Sequence, residues 1–434
     1  MHNILCNINS LLRYLSLVLL LFLCGCAEQR TVPMMPAPVI YHDTTIDPYS
    51  HLFPEERTTT VPVLYATNRK PQTGTSATPY SNGVSELLHL GEVHVRFGTN
   101  STSWKDLYLA STSPEQSSPL LISLEKTQEI ATIPSEEIYS GNLKLSPQIR
   151  NFIANVNKKL SKARDKEIII YVHGAKGSFL KSVALTAEID HFSGRDFVGI
   201  AFAWPSHQNI FSYINGIDRK RAQHSTSSLR TLIELLAEYT TVRQINIICY
   251  SAGGRLVSKA IDEMRHNHHS LSLQELKRAF KLGTILFTAA DVSVDQFLER
   301  LPAISQIAQN VIITVSDADT ALHFSSIVIG GNDRIGTREA EKNEKEFSEK
   351  SSNSNFEIID FSFGQQERGF DITGHHYWYR HPWASSDIIF LLRTDLPAAH
   401  RGLTASDIDG IWYLPREYPS QVRKAIQKAL KGQW

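Results

Sequence analysis

From Glu167 onward the chain alternates between short, fully apolar runs and longer amphipathic or mixed segments. The runs are Ile168 to Val172, Phe197 to Ala203, Ile245 to Tyr250, Leu282 to Phe287, Val311 to Val315 and Phe356 to Phe361. They are continuous rather than alternating, and rich in β-branched and aromatic residues, as strands buried on both faces are. Between them, Phe179 to Asp190, Ser225 to Tyr239 and Gly253 to Arg265 read as helices. The pattern predicts an α/β fold with a mostly parallel central sheet and helices on both faces.

The flanks are less regular. Val61 to Tyr65 and Gly91 to Phe97 are strand-like, with a Gly/Ser/Thr/Pro-rich segment between them, and Ser111 to Pro119 reads as a polar loop. Ile149 to Ala163 has Phe152, Ile153, Val156 and Leu160 at helical spacing. Glu339 to Asn355, charged and serine-rich, predicts a solvated loop. Gln421 to Lys431 puts Val422, Ile426, Ala429 and Leu430 on one narrow face, which predicts a terminal helix (419–432) docked on the domain rather than on a membrane.

Residues 1–25 stand apart from the fold. His2 and Arg13 precede an eleven-residue apolar core, Tyr14 to Cys24, too short to span a bilayer but of signal-peptide length. Leu23-Cys24-Gly25-Cys26 resembles a bacterial lipobox, which implies cleavage before Cys26, lipidation of that cysteine and export. Ala27 after it implies the outer membrane, where the source has one. Residues 26–58 contain Pro33, Pro36, Pro38, Pro48 and Pro54 with little periodicity, and predict an extended tether ahead of a domain spanning 59–434, whose leading strands lie in 59–125. After processing only Cys249 would remain as a thiol, so no intramolecular disulfide is expected. With 44 basic and 44 acidic residues the chain has no net field to favour nucleic acid.

The chemistry-bearing stretch is Asn246-Ile-Ile-Cys-Tyr-Ser-Ala-Gly-Gly254, an apolar run that delivers Ser251 into a pair of glycines. It reads as strand, sharp turn and helix: a nucleophile elbow with Cys249 in place of the first glycine. The alternative for these residues is a serine N-cap at an ordinary strand-to-helix junction. A serine nucleophile needs a histidine base and a carboxylate to orient it, in the chain order Ser, Asp or Glu, His. Asp291 and Asp319 both follow strand-like runs, and Asp319, with Asp317 beside it, is favoured because the acid commonly follows the next-to-last strand. His375 and His376 follow the last strand. The oxyanion donors expected are the N–H of Ala252 and that of Ala175 in His173-Gly174-Ala175-Lys176, with His173 shaping the loop. Trp204, Phe179, Tyr377 and Trp378 are candidates to line an acyl pocket, and equally to be buried structural aromatics. His266, His268 and His269 end a polar helix without an acidic or cysteine complement, and no metal site is expected there.

The chain resembles a group of uncharacterised bacterial α/β-hydrolases catalogued as a domain of unknown function. The likeness rests on Val63-Leu-Tyr-Ala-Thr-Asn-Arg69, Ile169-Ile-Tyr-Val-His-Gly174, Phe202-Ala-Trp-Pro-Ser206, Cys249-Tyr-Ser-Ala-Gly253, Ala289-Ala-Asp-Val292, Ser316 to Leu322, and Gly374-His-His-Tyr-Trp378 with Pro382 and Asp387. It implies the α/β-hydrolase fold, with Ser251 as nucleophile, Asp319 as acid and His375 as base. The chain departs from it at Tyr250 and Ala252, where the family more often has His and Met, and at Ala175 and Lys176, where an aromatic residue and Asn are common. The expectation is a lipid-anchored envelope hydrolase of a small ester or related acyl substrate that needs no cofactor. The alternative is a non-catalytic envelope binding protein on the same fold.

Overall fold

The computed structural model describes residues 30–43, 45–72, 78–114, 118–207, 217–317, 319, 322, 333–337, 343–350, 355–362, 374–407 and 410–430. The stretch read as a signal peptide, residues 1–25, and Cys26, the expected lipidation site, lie outside them. Twelve strands form one sheet in the order β1-β4-β3-β2-β6-β5-β7-β8-β9-β10-β12-β11. They are β1 (Thr31–Pro33), β2 (Thr60–Pro71), β3 (Tyr80–Phe97), β4 (Leu121–Pro134), β5 (Glu167–Val172), β6 (Val198–Phe202), β7 (Gln244–Tyr250), β8 (Leu282–Thr288), β9 (Asn310–Val315), β10 (Asn355–Asp360), β11 (Thr404–Ala405) and β12 (Ile411–Tyr413). Pairing is parallel from β2 through β6, β5, β7, β8, β9 and β10 to β12, and antiparallel at both edges.

Each central strand feeds two cores. In β5, Ile168, Ile170 and Val172 face one, with α1 (Pro147–Leu160), α3 (Ile217–Tyr239), α4 (Gly253–Asn267) and α5 (Val294–Ile307). Ile169 and Tyr171 face the other, with α2 (Phe179–Phe192), α6 (Pro382–Thr394) and α7 (Tyr418–Leu430). Burial on both sides explains why these strands are continuous apolar runs, since neither pleat face meets water. This is the α/β-hydrolase arrangement that the sequence predicts.

Two expectations are corrected. Residues 31–56 are not a free tether. Thr31–Pro33 adds an edge strand to β4, and Met34, Met35, Val39, Ile40, Tyr41, Ile46 and Tyr49 are buried. Prolines suit such a segment because an extended chain laid on a surface needs few of their missing N–H groups. Within Glu339–Asn355, Glu344–Lys350 forms a helix that buries Phe347 against Phe297 and Phe356, with ring centroids 5.8 and 5.6 Å away. The charged residues mask a single apolar anchor.

Candidate active site

The site forms at the carboxyl ends of β7, β8, β9 and β10. β7 ends at Tyr250, α4 begins at Gly253, and Ser251 between them has φ 52°. The left-handed region costs a non-glycine residue about 1–2 kcal/mol, so it must be imposed from outside. Three backbone hydrogen bonds impose it here. The Ser251 N–H donates to the Thr288 carbonyl at 3.1 Å, and the Ser251 carbonyl accepts from the N–H groups of Gly254 and Asp291, both at 3.0 Å. A capping serine would need no such conformation, so the geometry is that of an elbow.

Two glycines let the chain close around it. A Cβ on Gly253 would lie 2.6 Å from the Val172 carbonyl, so only glycine lets α4 start this close to β5. A Cβ on Gly174 would lie 2.7 Å from the Ser251 Cβ, which puts the His-Gly loop directly against the serine. At Cys249 smallness suffices: its thiol is buried and donates to the Leu286 carbonyl at 3.4 Å.

The two candidate acids separate by their partners. Asp319 is fully buried; its Oδ2 lies 2.7 Å from His375 Nδ1 and its Oδ1 accepts the Leu322 N–H at 3.1 Å. A carboxylate there accepts from Nδ1–H, which fixes the tautomer and leaves Nε2 as the basic nitrogen. Asp291 Oδ1 instead lies 3.0 Å from both Arg255 Nη2 and Arg334 Nε. Asp317 is exposed, and its N–H donates to Ser362 Oγ.

Ser251, His375, His376, Tyr250 and Ala175 line one cavity of about 380 Å³, with Asp291 also in its wall. Tyr250 lies 5.0 Å from the His375 ring, centroid to centroid. Among the described residues no acceptor takes the N–H of Ala252 or of Ala175, so both remain available to a ligand oxygen.

His173 is a structural residue. It is buried and stacked on Trp204 at 5.2 Å, with Nδ1 2.7 Å from the Gly174 carbonyl. Burial first, and then the Arg69 guanidinium, hold its pKa down to about 3, so it stays neutral. Trp204 donates back to the His173 carbonyl at 2.6 Å, and Arg69 donates to Gly177 at 2.7 Å, which pins both ends of the loop.

The expected aromatic pocket is not formed by Trp204, Phe179, Tyr377 and Trp378. All four are almost wholly buried and none lines the cavity. Tyr377 hydroxyl is 2.7 Å from Thr314 Oγ1. The lining comes instead from Tyr171, Tyr250, Tyr379, Leu185, Leu322 and the edge-strand residue Val32. Sequence reasoning also missed Arg69, present in a quoted motif without a role, and Lys181, Glu188 and Arg380, which no motif marks. His266 and His269 are at the exposed end of α4, where His268 packs on Phe280. Among the described residues no three His, Cys, Asp or Glu side chains converge as metal ligands do.

The chain matches, over residues 150–389, the model of a family described as alpha/beta hydrolase of unknown function (DUF900). That is more than half of the chain, and the protein belongs to this family. No curated protein matches it. Among solved structures it is similar to a dienelactone hydrolase from Anabaena variabilis, at 13% identity over 52% of this chain and 83% of that one, with a TM-score of 0.32. It is similar also to esterase B from Lactobacillus rhamnosis, at 14% identity over 54% and 78% of the two chains and a TM-score of 0.33. A predicted CIB-like hydrolase from Thermoplasma acidophilum shares 16% identity over 54% and 88%, with a TM-score of 0.30.

Proposed function

We propose that this chain is a lipid-anchored serine hydrolase of the cell envelope that cleaves an ester or related acyl bond through an acyl-enzyme. The observation that carries the reading is the 2.7 Å contact between His375 Nδ1 and Asp319 Oδ2, in a site whose cavity wall holds Ser251 at φ 52°.

In this reading Ser251 Oγ attacks the acyl carbon while His375 Nε2 takes its proton. Asp319 stabilises the resulting imidazolium through Nδ1–H. The tetrahedral oxyanion is held by the N–H groups of Ala252 and Ala175. Collapse expels the alcohol, which takes the proton back from His375. Water, deprotonated by the same nitrogen, then releases the acid and restores Ser251.

The packing of residues 31–56 bears on the anchor. Val32 lines the cavity, so only six residue steps, with five residues between, lead back to Cys26. Fully extended they span about 20 Å, whereas a free tether to residue 59 would reach about 110 Å. A lipid on Cys26 would therefore hold the cavity close to the bilayer surface.

Labelling of the detergent-solubilised full chain with a fluorophosphonate tests the catalytic reading. Wild type is expected to label at Ser251, and Ser251→Ala to lose the label. Equal labelling of the two would abandon catalysis for a binding role on the same fold.

A further inference from the structure

Lys176, Lys181 and Arg380 line the cavity that holds Ser251 and His375. They come from separate stretches: the loop after β5, the first turn of α2, and the turn Tyr377–Arg380. All three side chains are exposed at its mouth, and among the described residues none lies in an ion pair. Although the Lys181 side chain reaches solvent, desolvation against the cavity wall, and after it the like charges of Lys176 and Arg380, lower its pKa.

The acidic residues in the wall do not offset them. The charge of Asp291 is already met by Arg255 and Arg334. Glu188 is buried, accepts the Met35 N–H, and has its pKa pushed up to about 8 by desolvation, so at neutral pH it is mostly uncharged. The mouth is left positive above an apolar interior containing Leu185, Leu322 and Val32. Clustered cations beside low-dielectric walls concentrate anions.

Resting on the serine-hydrolase reading, we propose that the site selects esters whose acyl or alcohol portion carries an anionic group, a carboxylate or a phosphate, held by Lys176, Lys181 and Arg380 while the apolar part fills the cavity. Hydrolysis is unchanged in its balance: one water is consumed, and an acid and an alcohol are released.

The test compares matched ester pairs with the full chain. One pair is 4-nitrophenyl hemiadipate against 4-nitrophenyl hexanoate; the other is dihexanoylphosphatidic acid against dihexanoylglycerol. The readout is the ratio of kcat/KM for the anionic to the neutral member. Wild type is expected to favour the anionic member of at least one pair, and the pair concerned tells carboxylate from lipid phosphate. Lys181→Gln combined with Arg380→Gln should lower that ratio about tenfold, mainly through KM. Lys181→Arg should retain it, and Lys428→Gln on the exposed side of α7 should not change it. Raising the salt concentration should reduce it. Turnover of neutral esters with no charge preference in either pair overturns this inference and leaves the hydrolase reading standing. Failure to turn over any of the four esters overturns it too, and fluorophosphonate labelling then decides separately whether the hydrolase reading falls with it.

Discussion

The loops after β8 and β9 each supply a buried aspartate at the same edge of the sheet, yet the two acids have different surroundings. Asp291 faces two guanidinium groups, whereas Asp319 faces one imidazole. An arginine stays charged through any catalytic cycle, so a carboxylate locked to two of them is a fixed structural ion. An imidazole changes charge during proton transfer, so in the proposed mechanism the carboxylate beside it would act on the transition state. Position at a strand end is shared by both residues. The partner is what separates their roles.

The sharpest way to break that comparison is Asp319→Asn. An amide cannot stabilise the imidazolium and favours the wrong tautomer, so fluorophosphonate labelling and ester turnover are expected to fall by about 10³ to 10⁴. His375→Ala added to it should cost little more, since the members of such a unit are not additive. A labelling rate within tenfold of wild type would remove Asp319 from the mechanism.

Asp291→Asn should do the reverse. It leaves Arg255 and Arg334 beside a neutral group, and breaking a buried ion pair by removing one partner costs about 3–5 kcal/mol; with Arg255 partly exposed, the lower end applies. The urea midpoint should drop accordingly, while the folded fraction labels within about tenfold of wild type. Adding Arg334→Met should recover part of the loss. If Asp291→Asn stays fully folded and loses labelling as deeply as Asp319→Asn, the roles of the two acids are assigned wrongly.

Glu188 extends the comparison to a buried carboxylate that accepts a backbone N–H, that of Met35. Its pKa is about 8 in the fold and lies near the ordinary 4.5 when unfolded. Between those values the folded state holds a proton that the unfolded state has released. Stability is therefore greatest below about pH 4.5 with respect to this group, declines as pH rises, and levels off above about 8. Glu188→Gln removes one such contribution, on the order of 5 kcal/mol across that window. Asp190 and Glu167, both raised to about 7 by burial, keep part of the slope in the variant. Urea midpoints at pH 5 and 8.5 read the difference. Parallel profiles for the two proteins would mean that Glu188 ionises in the fold as it does in the unfolded chain.

The same distinction explains what was legible in the sequence. Central strands and their helices were readable because burial on two faces leaves only apolar residues. Ser251 was readable because the elbow is local, with its turn and glycines adjacent in the chain. The choice between Asp291 and Asp319 rested on chain order, because the deciding contacts reach from Arg334 and from His375, far along the sequence. The cationic mouth is harder still: Lys181 and Arg380 look like any surface charge until α2 and the turn at Tyr377–Arg380 are brought together. The prolines of residues 31–56 pointed to a tether, and the apolar cluster Val39-Ile40-Tyr41 was the signal that this stretch is buried. For Trp204 and Trp378 the sequence leaves pocket and core open, because a large aromatic near a strand end packs in the core as readily as it lines a pocket, and the core is where both lie.

The smallest effect is expected at the residue that first made the elbow look irregular. Cys249 stands where the usual pattern has glycine, but it belongs to β7 and has no positive φ, so glycine's conformational range is not needed there. What the position requires is a side chain small enough to lie beside Leu286. Cys249→Ala should therefore cost only about 1 kcal/mol, for the lost sulfur packing and its weak hydrogen bond, and leave labelling at Ser251 within about threefold. Burial also pushes the Cys249 thiol pKa up, so the native protein should resist iodoacetamide that alkylates it readily in urea. A loss of labelling beyond tenfold in Cys249→Ala, with the urea midpoint unchanged, would give the thiol a part in shaping the turn that its hydrogen bond to the Leu286 carbonyl does not supply.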